Sequence, residues 1–233
     1  MNIMEELQKM KQTSTKLPIS LALLTCIVCA FGFGLVALWV SDHQVRRFDQ
    51  EIISAIGQLE SPAMTRLMKF FTMIGSGIPV VIIILIAMFV LYRVLGHRRE
   101  LLFLAAGVLG SVMLNTILKL LFQRARPEIN RIIEENGYSF PSGHSMTAFS
   151  MYAALTFLVW KHVPSRLGRI LLIVLSSLLI VAIGTSRIYL GVHYPSDVVG
   201  GYFMSGCWMA ACIWFYQRYE KRRMLPLRSK STA

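Results

Sequence analysis

Long apolar runs, broken by short segments that hold most of the charge, constrain this chain more than any other feature of it. From Pro18 to Val40 there is no Asp, Glu, Lys or Arg. About 20 such residues cross the hydrocarbon core of a bilayer. In lipid every backbone N–H and C=O must find a partner within the protein, so a lone run of this kind folds as a helix. Similar runs extend from about Ile78 to Leu95, Leu101 to Phe122, Ser145 to Trp160, Ile170 to Thr185 and Val198 to Tyr216. They predict an all-α fold, an integral membrane bundle of six transmembrane helices. At 55% hydrophobic residues, the chain is too apolar for a soluble domain of its length. We expect a single membrane domain over 1–233, made of a cytoplasmic arm at 1–17, a six-span bundle at 18–216 and a cytoplasmic basic tail at 217–233.

The net charge is +12, yet it does not point to nucleic acid. The Lys and Arg residues sit in short connections between apolar runs, where no soluble basic surface can form. With six spans, 15 of the 24 Lys and Arg residues fall on the side of the two termini. The positive-inside rule makes that side cytoplasmic, so the expectation is a multi-pass protein of the cell membrane with both termini in the cytoplasm. The first run is too long for a signal-peptide core and reads as a retained span. In the N-terminal arm Ile3, Met4, Leu7 and Met10 share one helical face, so the arm could lie on the membrane or simply fray. Residues 41–75 carry two amphipathic patches, Phe48, Ile52, Ile53, Ile56 and Leu59, then Leu67, Met68, Phe70 and Phe71, with Pro62 between them. These predict short interfacial helices after the first span, either gating a lipid or merely packing on the bundle. Cys26 and Cys29 form a CxxC inside an apolar run without a second pair or a nearby histidine, and read as small core residues.

Three polar strings remain at the ends of apolar runs: Lys119-x6-Arg126-Pro127, Pro141-Ser142-Gly143-His144 and Ser186-Arg187-x5-His193-x3-Asp197. In the six-span layout all three lie on the extracytoplasmic side. Lys119 is costly in a span unless it faces a polar cavity or snorkels to the interface. Asn115, Lys119, Gln123 and Arg126 fall close to one helical face, and Pro127 turns the chain after Arg126. Pro-Ser-Gly at a helix start presents unpaired N–H groups. Ser142 would cap the helix and Gly143 permits close backbone approach, which suits phosphate as well as a plain turn. Asp197 is close enough in sequence to reach one nitrogen of His193 and fix its tautomer, leaving the other free to attack. Glu134, Glu135 and Asn136 read as solvated loop residues that could also tune substrate choice. Arg124 reads as a solvated or lipid-facing arginine, with contact to a second phosphate as the alternative.

Taken in order, the three strings match the three motifs of the type 2 phosphatidic acid phosphatase family, and the chain resembles a bacterial member of it. That family shares its phosphate site with the vanadium haloperoxidases. The resemblance implies that His193 is the nucleophile of a phosphohistidine mechanism, that Asp197 orients it, and that His144 protonates the leaving oxygen and then activates water. It implies that Lys119, Arg126 and Arg187 hold the phosphoryl oxygens with backbone N–H groups of Ser142 and Gly143, in the role a metal has elsewhere. We expect no metal and no cofactor. The partners implied are a membrane lipid phosphate as substrate and the surrounding bilayer lipids. An outward-facing site favours undecaprenyl diphosphate, with phosphatidylglycerophosphate and phosphatidic acid as competitors; the motifs do not choose among them, nor do they give an oligomeric state. The rival readings are an anion-binding or transport protein without chemistry, and a vanadate-dependent peroxidase.

Overall fold

A computed structural model describes residues 19–42, 44–94, 98–128 and 131–229. The N-terminal arm at 1–17 lies outside them. Among the described residues every regular element is helical, as the apolar runs require. In chain order these are α1 (Ile19–Ser41), α2 (Arg46–Gly57), α3 (Pro62–Ile74), α4 (Gly77–Phe89) with a π-helical turn at Val90–Val94, α5 (Arg98–Phe122), α6 (Gly143–Trp160), α7 (Arg166–Tyr189) and α8 (Pro195–Ser229).

Four helices are long and apolar enough to cross a membrane: α1, α5, α7 and α8. Their outer faces carry the exposed apolar side chains of a lipid-facing surface, such as Phe31 at 68% and Leu102 at 74% exposure. The two remaining expected spans differ in instructive ways. Helix α4 has 13 residues, roughly 20 Å at 1.5 Å per residue, and passes the same criterion only together with α3, to which it is joined at a 49° bend. The bend falls at Gly75-Ser76-Gly77, where Gly77 takes a φ of +51° that other residues rarely adopt. Helix α6 forms as expected but is not among the helices long and apolar enough to cross. It is the central helix, packed on α5, α7 and α8, with Ser145, Ser150 and Ala154 among its buried residues. A helix enclosed by protein does not need the apolarity that lipid demands.

Ser61 caps α3, accepting a hydrogen bond from the Met64 N–H at 3.2 Å, and Pro62 occupies the first turn, where a missing N–H costs nothing. The expected tail from 217 is not separate: α8 continues through it to Ser229, over Gln, Arg, Glu and Lys residues that favour helix. Arg99 pairs with Glu220 at 2.8 Å and Lys161 pairs with Glu100, joining the start of α5, the end of α6 and the far part of α8. The main core is built from Leu104, Met151, Ala154 and Met209. A smaller core at the opposite end gathers Phe33, Val45, Leu118 and Phe140.

Candidate active site

That opposite end collects the C-termini of α5 and α7 and the N-termini of α6 and α8, and with them all three polar strings. Helix α5 stops at Phe122 because Gln123 adopts a left-handed φ of 45°. Gln123 is therefore exposed, and neither it nor Arg126 lies on the helical face the spacing predicts. Beyond it the chain is fastened at three points. The Ser139 N–H donates to the Arg124 carbonyl at 2.8 Å, the Ile132 N–H donates to the Leu190 carbonyl at 3.1 Å, and the fully buried Phe140 ring packs on Phe33 and Phe122.

This fastening buries Arg126. Its Nε donates to the Gly137 carbonyl at 3.0 Å and its Nη1 to the Val192 carbonyl at 2.9 Å. The same Nη1 lies 3.1 Å from His193 Nε2. A guanidinium can only donate, so Nε2 must be the ring nitrogen with the lone pair, and the proton sits on Nδ1. Nδ1 in turn faces Asp197 Oδ2 at 3.4 Å and Ser139 Oγ at 3.3 Å. Burial, reinforced by Arg126 and Arg187, lowers the His193 pKa to about 4 against the opposing pull of Asp197. At neutral pH the imidazole is neutral, with its Nε2 lone pair directed at the Arg126 guanidinium.

Asp197 is fully buried and saturated with donors. Oδ2 accepts from the Tyr194 N–H at 2.8 Å and from Ser139 Oγ at 2.5 Å. Oδ1 accepts from Arg124 Nη1 at 2.6 Å. Its backbone carbonyl accepts the Ser142 N–H at 3.0 Å, which ties the second string to the third.

Ser142 caps α6 as expected, its hydroxyl accepting from the Ser145 N–H at 3.4 Å. The Ser142 amide is engaged with the Asp197 carbonyl, whereas the N–H groups of Gly143 and His144 open the helix. Asn115 donates to the Pro141 carbonyl at 2.9 Å, and a Cβ on residue 143 would come within 3.0 Å of Asn115 Oδ1. Glycine is thus what lets α5 approach the turn. His144 projects from the first turn of α6, its Nδ1 4.0 Å from Glu135 Oε1. Arg187 is buried at the end of α7, where it contacts Thr72 of α3 and Glu135. Lys119, half-buried in the last turn of α5, is within electrostatic range of Arg126, Arg187 and Asp197. The structure thus brings the eight expected residues to one end of the bundle.

Two expectations need correction, and two residues went unseen. Arg124 is neither solvated nor lipid-facing. It bridges Asp197 and Asp49, the latter at 2.8 Å, and stacks on Tyr194 with 4.2 Å to the ring centroid. Glu135 is no ordinary loop residue: it reaches the guanidinium of Arg187 and lies 3.5 Å from Arg126 Nη2. Ser139 and Asp49 were missed. Asp49 had a signal, since it shares one helical face with Ile52, Ile53 and Ile56, and an acid on an apolar stripe calls for a buried partner. Among the described residues no three His, Cys, Asp or Glu side chains gather as a metal-binding set.

Chemically, a neutral imidazole, a second histidine and three cations gathered at one end of the bundle can accept and transfer a phosphoryl group. Comparison with known proteins agrees. The chain is 31% identical over 176 residues to phosphatidylglycerophosphatase B of Bacillus subtilis, covering 73% of this chain and 84% of that protein. It is 29% identical to an undecaprenyl-diphosphatase of Sulfolobus acidocaldarius, over 70% of this chain and 75% of the relative. The crystal structure of the transmembrane PAP2 type phosphatidylglycerolphosphate phosphatase from Bacillus subtilis superimposes with a TM-score of 0.72 at 26% identity, covering 83% of this chain and 96% of that one. The structure of Aquifex aeolicus LpxE gives 0.57 at 26% identity, over 70% and 93% of the two chains. With its apolar helices and these membrane relatives, the chain is a membrane protein. The family model described as the PAP2 superfamily matches residues 100–221, from the start of α5 through most of α8, and the chain belongs to that superfamily.

Proposed function

We propose that the protein is a lipid phosphate phosphatase that works through a phosphohistidine on His193. The observation that carries this is the ring's setting: Nε2 unprotonated beside Arg126, Nδ1 against Asp197. Nε2 attacks the phosphorus of the terminal phosphate, and the bond to the leaving oxygen breaks as His144 protonates that oxygen. Lys119, Arg126 and Arg187 stabilise the charge on the equatorial oxygens, with the Gly143 and His144 amides. Asp197 balances the positive charge the ring gains on phosphorylation. Water, deprotonated by His144, then attacks phosphorus and frees both His193 and inorganic phosphate. Residues supply the positive charge, so activity should persist in EDTA.

The six-span arrangement is part of the same reading, with α1, α4, α5, α6, α7 and α8 as the crossings. The alternation of helix ends supports it, since the paired cluster of Arg99, Glu100, Lys161 and Glu220 lies at the end opposite the site. Both termini are then cytoplasmic and the site extracytoplasmic, with α2 and α3 at the outer interface. An outward site fits the terminal phosphate of undecaprenyl diphosphate. Phosphatidylglycerophosphate is the second reading, favoured by the Bacillus subtilis relative. Purified protein in detergent with EDTA, offered both lipids and phosphatidic acid side by side, decides the substrate by rate of phosphate release. His193→Ala should abolish release while the protein still folds; near-wild-type turnover by that variant would overturn the mechanism.

A further inference from the structure

Helix α2 supplies a residue to the site that none of the three strings contains. Asp49, 1% exposed, accepts hydrogen bonds and donates none. Its Oδ1 takes the Ser196 N–H at 2.9 Å, and its Oδ2 takes Ser196 Oγ at 2.7 Å and Arg124 Nη2 at 2.8 Å. Arg124 Nη1 reaches back to Ser196 Oγ at 2.7 Å and to Asp197 Oδ1 at 2.6 Å. The guanidinium is thus held between two buried carboxylates, with the Ser196 hydroxyl closing the ring.

The charges in this ring matter for His193. Asp197 can balance the phosphorylated ring only to the extent that its own charge is not already neutralised. Arg124, 2.6 Å away, would neutralise it if nothing held Arg124 in turn. We infer that Asp49 is a positioning residue for the reaction: by neutralising Arg124 it leaves the charge of Asp197 available to His193, while the shared guanidinium fixes where Asp197 points. In this account α2 is an electrostatic component of the site and more than a cover for the bundle. The inference rests on the phosphohistidine reading and deepens it.

The test compares single-turnover phosphoenzyme formation and steady-state kinetics for four proteins: wild type, Asp49→Asn, Arg124→Gln and the double variant. Asp49→Asn keeps the shape and removes the charge. It should lower kcat by about tenfold or more, the scale of one unscreened charge at this depth, with KM within about threefold because Asp49 touches no phosphate ligand. Adding Arg124→Gln to Asp49→Asn should raise kcat again, since Asp197 is then no longer neutralised. A purely structural role predicts the reverse, a double variant worse than either single, and that result would overturn the inference. Should Asp49→Asn alone not fold, the Arg124→Gln background still decides: there the added Asp49→Asn change should alter kcat by less than about twofold, and a larger further loss refutes the charge argument. His193→Ala is run alongside. Activity surviving in it sinks the phosphohistidine reading itself, whereas a dead His193→Ala with an unimpaired Asp49→Asn sinks only the role of Asp49.

Discussion

On the proposed mechanism, Glu135 takes up positions that a phosphoryl group would need. Its carboxylate contacts Arg187, lies 3.5 Å from Arg126 Nη2 and 4.0 Å from His144 Nδ1. An incoming phosphate must displace it, so Glu135→Gln should make anions bind more tightly. A hydrogen bond between charged groups is worth about 1.5–3 kcal/mol net. The Glu135 side chain is 25% exposed, so water recovers part of that, and we take the lower end, about 1.5 kcal/mol. That is roughly tenfold in affinity. Vanadate, which adopts the pentacoordinate geometry of a phosphoryl group in transfer, is the probe. Its inhibition constant should fall by about tenfold in Glu135→Gln, with a parallel fall in KM. An unchanged or weaker vanadate inhibition combined with a large loss of kcat would refute competition and leave Glu135 as a partner that orients His144.

Three further outcomes are expected. Because burial and the neighbouring cations hold the His193 pKa at about 4, protonation removes the nucleophile only as pH falls toward that value, so kcat/KM should show no limb from His193 near pH 6.5. The pH profile of wild type beside Asp197→Asn checks this, and a limb near 6.5 that moves with Asp197 contradicts it. Ser139→Ala removes the 2.5 Å bond to Asp197 and should lower kcat by about tenfold, with little change in KM, since a lost bond to a buried charge costs about 1.5 kcal/mol or more. Gly184→Ala should destabilise the bundle by about 1–3 kcal/mol, read as a fall in Tm in detergent, because a Cβ there collides with the Tyr202 hydroxyl that donates to the Ile180 carbonyl at 2.7 Å.

How much of this was legible in the sequence depended on whether a residue's role is set locally. His193 and Asp197 are four apart at a helix start, and Ser142 and Gly143 open α6, so their relations follow from a turn or two of chain. The apolar runs of α1, α5 and α7 face lipid and announce themselves. Helix α6 announces itself less, because its neighbours are protein and Ser145 and Ser150 are tolerated there. Arg124 and Glu135 look like any charges in a polar loop until Phe140 is buried and the loop closes over Arg126. Arg124 meets Asp197 at a separation of 73 residues and Glu135 meets Arg187, likewise in another helix, and no local pattern encodes a separation of that kind. Asp49 stands between the two cases: its place on an apolar stripe shows that it needs a partner but not which one.

The packing of α1 carries a consequence for how the protein is made. Its most extensive contacts are with α8, and Cys26 Sγ lies 3.5 Å from Cys207 Sγ at that seam. Among the described helices α1 is therefore made before all the others and α8 after them, so the intervening helices are inserted before the seam can close. The helix that completes the seam also carries Asp197, so a nascent or truncated chain lacking α8 has neither a closed α1–α8 seam nor the carboxylate that faces His193. Asp197 and closure of the seam thus arrive with the same helix, and chains that lack it present an unpartnered α1 to whatever machinery inspects membrane proteins for quality.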